Sequence, residues 1–461
     1  MTVKSIPKII ISSILVFLIQ FSCAQNEILD EYIQLGLKQN ISIQIRENEY
    51  LNAIAELQEA KRGYFPGIKF FARYTVANGG RVFEVPAGDL LNPVYAYLHQ
   101  ISPVVSPGMP FPNLKVPNQS FPIFRSREQD TYFELQQPIY NRLINLNKRI
   151  KKQMLKVSDL TLINEKLKLV YDIRCAYYDF LSAKEYYSIL DQTEKVLIEN
   201  VRVNKGLYKY GKNTKEDILR SQTELKHLYT LIADADKKLN LSQSYFNLLL
   251  DRSVNMPVKE SILNGDSLAL LSQQEYLNQA SVNRPELKQL DYAIEASSLA
   301  IKLKRSSAYP TIGLQGMAGI QGEEYDVTNN SVYLLGSLVL QWKLFDGTRK
   351  NKQVQQSKFQ MIDLRLKKRA LINQITLEVS EAYFDFILAR KNLYYTQKEV
   401  ELSSQAFQLI EKKYSQGQSS LLEFIDARNT MSNAQKQNII SKFNLFKSYA
   451  FLLKVCGINE Y

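Results

Sequence analysis

Ala176-Tyr177-Tyr178-Asp179-Phe180-Leu181 returns 206 positions later as Ala382-Tyr383-Phe384-Asp385-Phe386-Ile387, and this echo organises the whole chain. Neighbouring matches keep the spacing. Tyr208 and Gly211 recur as Tyr414 and Gly417, and Ser244-Tyr245 recurs as Ser448-Tyr449. Upstream, Gln137-Pro138-Ile139-Tyr140-Asn141 aligns with Trp342-Lys343-Leu344-Phe345-Asp346, and Tyr64-Phe65-Pro66 with Ala308-Tyr309-Pro310. An ordered series at nearly fixed spacing is the mark of tandem structural units. The first unit is longer between Pro66 and Gln137, an interval holding most of the prolines. It is expected to be a long loop, residues 78–126, built of turns and extended segments.

Each unit has one order of elements. Apolar residues at helical spacing (Ile28, Tyr32, Leu35; Ala53, Leu57, Ala60) lead to Phe65-Pro66. Proline ends a helix because the residue before it is pushed toward extended geometry. Alternating segments follow: Ile68, Phe70, Ala72 and Tyr74 on one face, then Leu334, Gly336, Leu338, Leu340 and Trp342 in the second unit. This is strand periodicity. Arg142 to Lys205 then contains no glycine or proline, and a continuous helix of that length would span about 95 Å. Thr348 to Gln416 reads the same way, and Gly211 or Gly417 marks a tight reversal before a second uninterrupted helix.

Strands of membrane-spanning length, four to a chain, cannot close a barrel alone. An open edge in lipid leaves backbone N–H and C=O groups unpaired at several kcal/mol each, so several copies must share one barrel. Trp342, with Tyr140 and Phe345 near strand ends, fits an aromatic girdle at a bilayer interface. A structural coiled-coil protein located in the periplasm or at the cell surface is the alternative reading.

The N-terminus reads as an export signal: Lys4 and Lys8, an apolar run from Ile9 to Phe21, then Ser22-Cys23-Ala24. Residues 1–24 are expected to be removed; Cys23 as a lipid-bearing N-terminus is the rival outcome. The remaining Cys175 and Cys456 read as free buried thiols. The formal net charge of +12 is spread along helical faces, so nucleic acid is not an expected partner. His99 and His227 lack metal-ligand spacing. Gly313, Gly316, Gly319 and Gly322 fall at period three in a strand and open no helix, which argues against a phosphate loop. No catalytic constellation, metal or cofactor is expected.

The chain resembles the outer membrane efflux protein family (TolC-like) over its whole mature length. The resemblance rests on Tyr309-Pro310-Thr311-Ile312, Trp342 to Gly347, Ala382-Tyr383, and Tyr414-Ser415-Gln416-Gly417 followed by Leu421 to Asp426. It implies a mixed α/β membrane protein with two repeats, residues 25–256 and 257–461. Its homotrimer would form a 12-stranded transmembrane β-barrel continuous with a periplasmic α-helical barrel. It also implies outer-membrane lipid, a periplasmic adaptor and an inner-membrane pump or ABC exporter as partners. By the same resemblance Glu423, Asp426 and Asp217 are pore-gate carboxylates, Tyr414 a gate tyrosine, and Gly211 and Gly417 adaptor-docking turns. Thr214-x-x-Asp217 and Ser420-x-x-Glu423 are also capping-box spacings, a role that competes with the gate for those two acids.

Overall fold

The computed structural model describes residues 27–261, 263, 268 and 270–458. The expected export signal and Cys23 lie outside them. In chain order the elements are α1 (Glu27–Gln39), α2 (Ile41–Arg62), β1 (Gly67–Val76), β2 (Val82–Val85), α3 (Ala87–Val105), β3 (Gln119–Pro122), β4 (Arg127–Tyr140), α4 (Arg142–Lys209) and α5 (Lys215–Leu249). The second half supplies α6 (Gln273–Asn283), α7 (Pro285–Ser306), β5 (Thr311–Gly322), β6 (Val332–Gln341), α8 (Arg349–Ser415) and α9 (Leu421–Cys456). The chain divides into a helical unit (Met1–Gln58, Arg149–Ile301, Val354–Tyr461) and a strand-bearing unit (Glu59–Lys148, Lys302–Gln353).

In the helical unit, α4 and α8 run for 68 and 67 residues. Helices this long gain little from propensity alone and depend on packing of an apolar face. The largest core joins Leu29, Tyr32 and Ile33 of α1 to Ile173, Tyr177 and Phe180 of α4, Phe246 of α5, and Phe443 and Phe446 of α9. A second core sets Tyr276 and Ala280 of α6 against Val379, Ala382 and Phe386 of α8 and Leu452 of α9. The repeated Ala-Tyr and Phe residues are therefore the core-facing stripe of each long helix. Tyr177 is fully buried, and its hydroxyl donates to the Lys259 carbonyl (3.0 Å) while accepting from the Ser261 N–H (2.9 Å). Asn40 separates α1 from α2: its side-chain oxygen caps the Ser42 N–H at 2.9 Å, and its amide donates to the Leu249 carbonyl at 2.8 Å. Cys175 and Cys456 are both free.

In the strand-bearing unit the four long strands form one antiparallel sheet in the order β1-β4-β5-β6. The register pairs Phe70 with Phe133, Phe133 with Ala318, and Ala318 with Leu334. Pro138 cannot donate to the ladder, and the register slips between it and Tyr140. Gly319 is required where β5 meets β4, because a Cβ there would lie 2.4 Å from the Thr131 carbonyl oxygen.

The interval 78–126 differs from the expected loop of turns and extended segments. It holds the β2–β3 hairpin and the 19-residue helix α3, with Pro93 and Pro103 inside that helix. Reading every proline as a breaker hides it: contacts of Asn92 and Tyr95 with the returning chain offset two lost N–H donors.

Candidate functional site: a two-faced sheet and two helix-hairpin turns

Alternation along the strands sorts the sheet into two faces. One face carries Ile68, Phe70 and Tyr74 of β1, Phe133 and Leu135 of β4, Leu314 and Ile320 of β5, and Leu334, Leu338 and Leu340 of β6. Most of these side chains are bare in the single chain, Leu334 at 86% exposure and Ile68 at 71%. The opposite face is more polar. Arg73 lies 3.8 Å from Asp130, the Tyr333 hydroxyl reaches Asp130 at 3.3 Å, and the Glu134 carboxylate accepts from Gln136 (2.7 Å) and Gln315 (2.6 Å). The lateral edges of β1 and β6 have no partner strand among the described residues.

At the strand ends that continue into long helices, aromatic residues collect. Trp342 donates its indole N–H to the Ala308 carbonyl (2.9 Å), Arg142 lies over the Tyr309 ring at 4.2 Å, and Tyr64 donates to the Asn141 carbonyl (2.7 Å). Phe65, Tyr140 and Phe345 are exposed beside them in sequence.

In the helical unit both hairpin turns are built alike. Gly211 has φ +71° and Gly417 φ +75°. The Lys212 N–H bonds to the Leu207 carbonyl and Gln418 to Lys413, each the long bond of a Schellman cap. Both capping boxes form. Asp217 accepts from the Thr214 N–H (3.1 Å) and Glu423 from the Ser420 N–H (2.9 Å). The Ser419 hydroxyl also donates to Glu423, and it acts with the Ser420 N–H to hold that carboxyl below the usual glutamate range. Asp426, one turn further along α9, is exposed and takes no part in the cap.

Tyr414 is buried, its ring stacked on Phe424 with centroids 4.9 Å apart. Its hydroxyl donates to Asn204 Oδ1 (2.5 Å), which also accepts from the Asn213 amide (2.6 Å). Asn204 in turn donates to the Asn200 carbonyl (2.9 Å). Burial raises the Tyr414 pKa above that of a free phenol, so it remains a donor at neutral pH. Sequence periodicity does not single out these three asparagines, nor the buried Arg428, whose guanidinium pairs with Glu224 at 2.8 Å. For two of them a signal exists. Ala406 and Ile410 of the second repeat stand where the first has Asn200 and Asn204, so polar residues replace apolar ones at matching positions of a long helix.

Residues 276–457 match the family model described as outer membrane efflux protein. The chain is similar to this family over its second half. Toxin and drug export protein A of Aggregatibacter actinomycetemcomitans is 22% identical over 259 residues, 56% of this chain and 51% of that protein. Outer membrane efflux protein BepC of Brucella suis is 19% identical over 298 residues, 64% of each chain. The chain thus spans between half and two thirds of the length of these relatives. Among solved structures, the CusC channel superposes with a TM-score of 0.76 at 14% identity, covering 95% of this chain and 93% of that one. The Campylobacter jejuni CmeC outer membrane channel gives 0.75 at 14% identity, covering 94% and 86%. The fold of these solved channels therefore extends over both halves, including the first, which the family model does not reach.

Because the folded-state pKa of Glu423 is depressed, its cap contributes stability above the unfolded glutamate pKa and loses it as pH falls through the folded value. Exchange protection of the Phe424 and Ile425 amides, corrected for intrinsic rate, is expected to fall in acid below that range. In Glu423→Gln this pH dependence is expected to vanish.

Proposed function

We propose that this chain is the outer-membrane exit duct of a tripartite efflux or type I secretion system. Three copies would share one 12-stranded barrel, with the helices continuing it as a periplasmic tube. A periplasmic adaptor and an inner-membrane pump or ABC exporter would load it. The observation that carries the reading is the sheet: one bare apolar face, one more polar face and two unpaired lateral edges. Lipid suits the first face and a water-filled lumen the second. An edge left in lipid is untenable, so β1 of one copy must pair with β6 of the next. The aromatic residues at the helix-proximal strand ends support a bilayer boundary there.

The division into repeats 25–256 and 257–461 after a removed leader of residues 1–24 belongs to the same proposal, as do the gate and docking roles. Asp426 is its foremost gate carboxylate, free of the helix cap. Glu423 and Asp217 combine capping with the gate, Tyr414 ties the closing helices to Asn204, and the Gly211 and Gly417 turns meet the adaptor. Three copies of each carboxylate would ring the lumen and favour cations.

Purified protein is expected to run as a trimer in native mass spectrometry and to conduct ions across planar bilayers. A monomer, or a particle soluble without detergent and unable to conduct, overturns the proposal in favour of a coiled-coil scaffold. Glu423→Gln with Asp426→Asn is expected to weaken cation preference; unchanged selectivity and gating would remove both from the gate. On the sheet, Leu338→Lys should cost about 2–4 kcal/mol if it faces mid-bilayer, whereas Ser337→Lys on the other face should be tolerated. Heat-resistance of the assembled oligomer on gels reads the difference.

A further inference from the structure

The excursion between β1 and β4 is a built substructure with one unfinished surface. Its base continues the β1–β4 ladder, the Ala77 N–H bonding to the Ser126 carbonyl (3.0 Å), and the Ile123 N–H bonds to the Arg81 carbonyl (3.0 Å) at the foot of the β2–β3 pair. One side of α3 is pinned to the returning chain. Asn92 exchanges two bonds with the Val116 backbone (3.0 and 2.8 Å), Asn118 donates to Asp89 (2.9 Å), and Tyr95 stacks on Phe111 at 6.1 Å. Gly88 is needed for this approach, since a Cβ would sit 2.3 Å from the Val116 carbonyl oxygen.

Pinning that side fixes which side is left bare. At helical spacing Leu90, Val94, Tyr97, Leu98, Val104 and Val105 fall within one arc of about 120°. All six are exposed, Val104 at 84% and Leu90 at 69%. The helix carries a single charged residue, Asp89, and no lysine or arginine. An anionic membrane surface is therefore a poor match, because helices lying on such surfaces present basic residues beside the apolar stripe.

A second copy matches better. The excursion leaves the sheet at Val76, the last residue of β1, whose outer edge lacks a partner among the described residues. A copy that supplies β6 to that edge brings its own excursion to the same rim. Tethering at the seam raises the effective concentration of one stripe for the next. We propose that the α3 stripes of neighbouring copies pack on one another beyond the strand ends and form a second subunit interface. This rests on the shared-barrel reading above.

The test uses full-length Tyr97→Cys and Val104→Cys chains in outer membranes, treated with a short bismaleimide. Ala96→Cys, on the flank of α3, and the parent chain with its own cysteines are the controls. Covalent dimers are expected for Tyr97→Cys and Val104→Cys at several-fold the yield of either control. Native mass spectrometry of the same variants reports the oligomer independently. An intact oligomer without cross-links overturns the interface while leaving the shared barrel standing. Quenching of a probe at position 97 by spin-labelled lipid would likewise overturn it, assigning the stripe to the bilayer. A monomer would show instead that the shared-barrel reading had failed, and the interface with it.

Discussion

Backbone hydrogen bonding at the rims of a four-stranded sheet governs the rest of this molecule. Inside the sheet every strand is satisfied by its neighbours, but β1 and β6 each present a row of N–H and C=O groups with no partner strand among the described residues. In water such an edge is an aggregation hazard; in hydrocarbon it is prohibitive. The apolar face makes the problem acute, since Leu334, Leu338 and Ile68 are exposed in the single chain and favour lipid. Self-pairing around a ring removes both difficulties together. The match of residues 276–457 to the outer membrane efflux protein family model is consistent with that solution.

The two repeats share a framework but use it unequally. Tyr177 and Tyr383 occupy matching positions, yet only Tyr177 is fully buried and bonded to the segment that links the halves. Tyr208 and Tyr414 match as well, and there the second repeat has the buried member, locked to Asn204 of the first. A buried hydroxyl or amide stripped of its partner would cost about 1–3 kcal/mol. The hairpin ends of the two repeats are thereby joined by polar groups whose mutual dependence is stronger than apolar packing alone.

The capping boxes show how one carboxylate can serve structure and still be available elsewhere. Glu423 commits one oxygen to the start of α9 and remains exposed, whereas Asp426 makes no cap contact. Their three-residue spacing puts both on one side of the helix. This is why an acid in a first turn reads ambiguously in sequence.

Local signals carried much of this fold, because periodicity, proline placement and spaced glycines act over short stretches of chain. The 206-residue echo of Ala176 to Leu181, the alternation at Ile68 to Tyr74 and at Leu334 to Trp342, and the turns at Gly211 and Gly417 all mark elements that the structure contains. Long-range packing alone set the strand order, the Asn204–Tyr414 bond, the Arg428–Glu224 pair and the helix hidden between Ala87 and Val105. The bond and the ion pair unite groups from some two hundred residues apart. The hidden helix survives its prolines because one of its faces is pinned to the returning chain. No single stretch of chain shows either kind of contact, and Asn200 and Asn204 stand out only when set beside Ala406 and Ile410 of the other repeat.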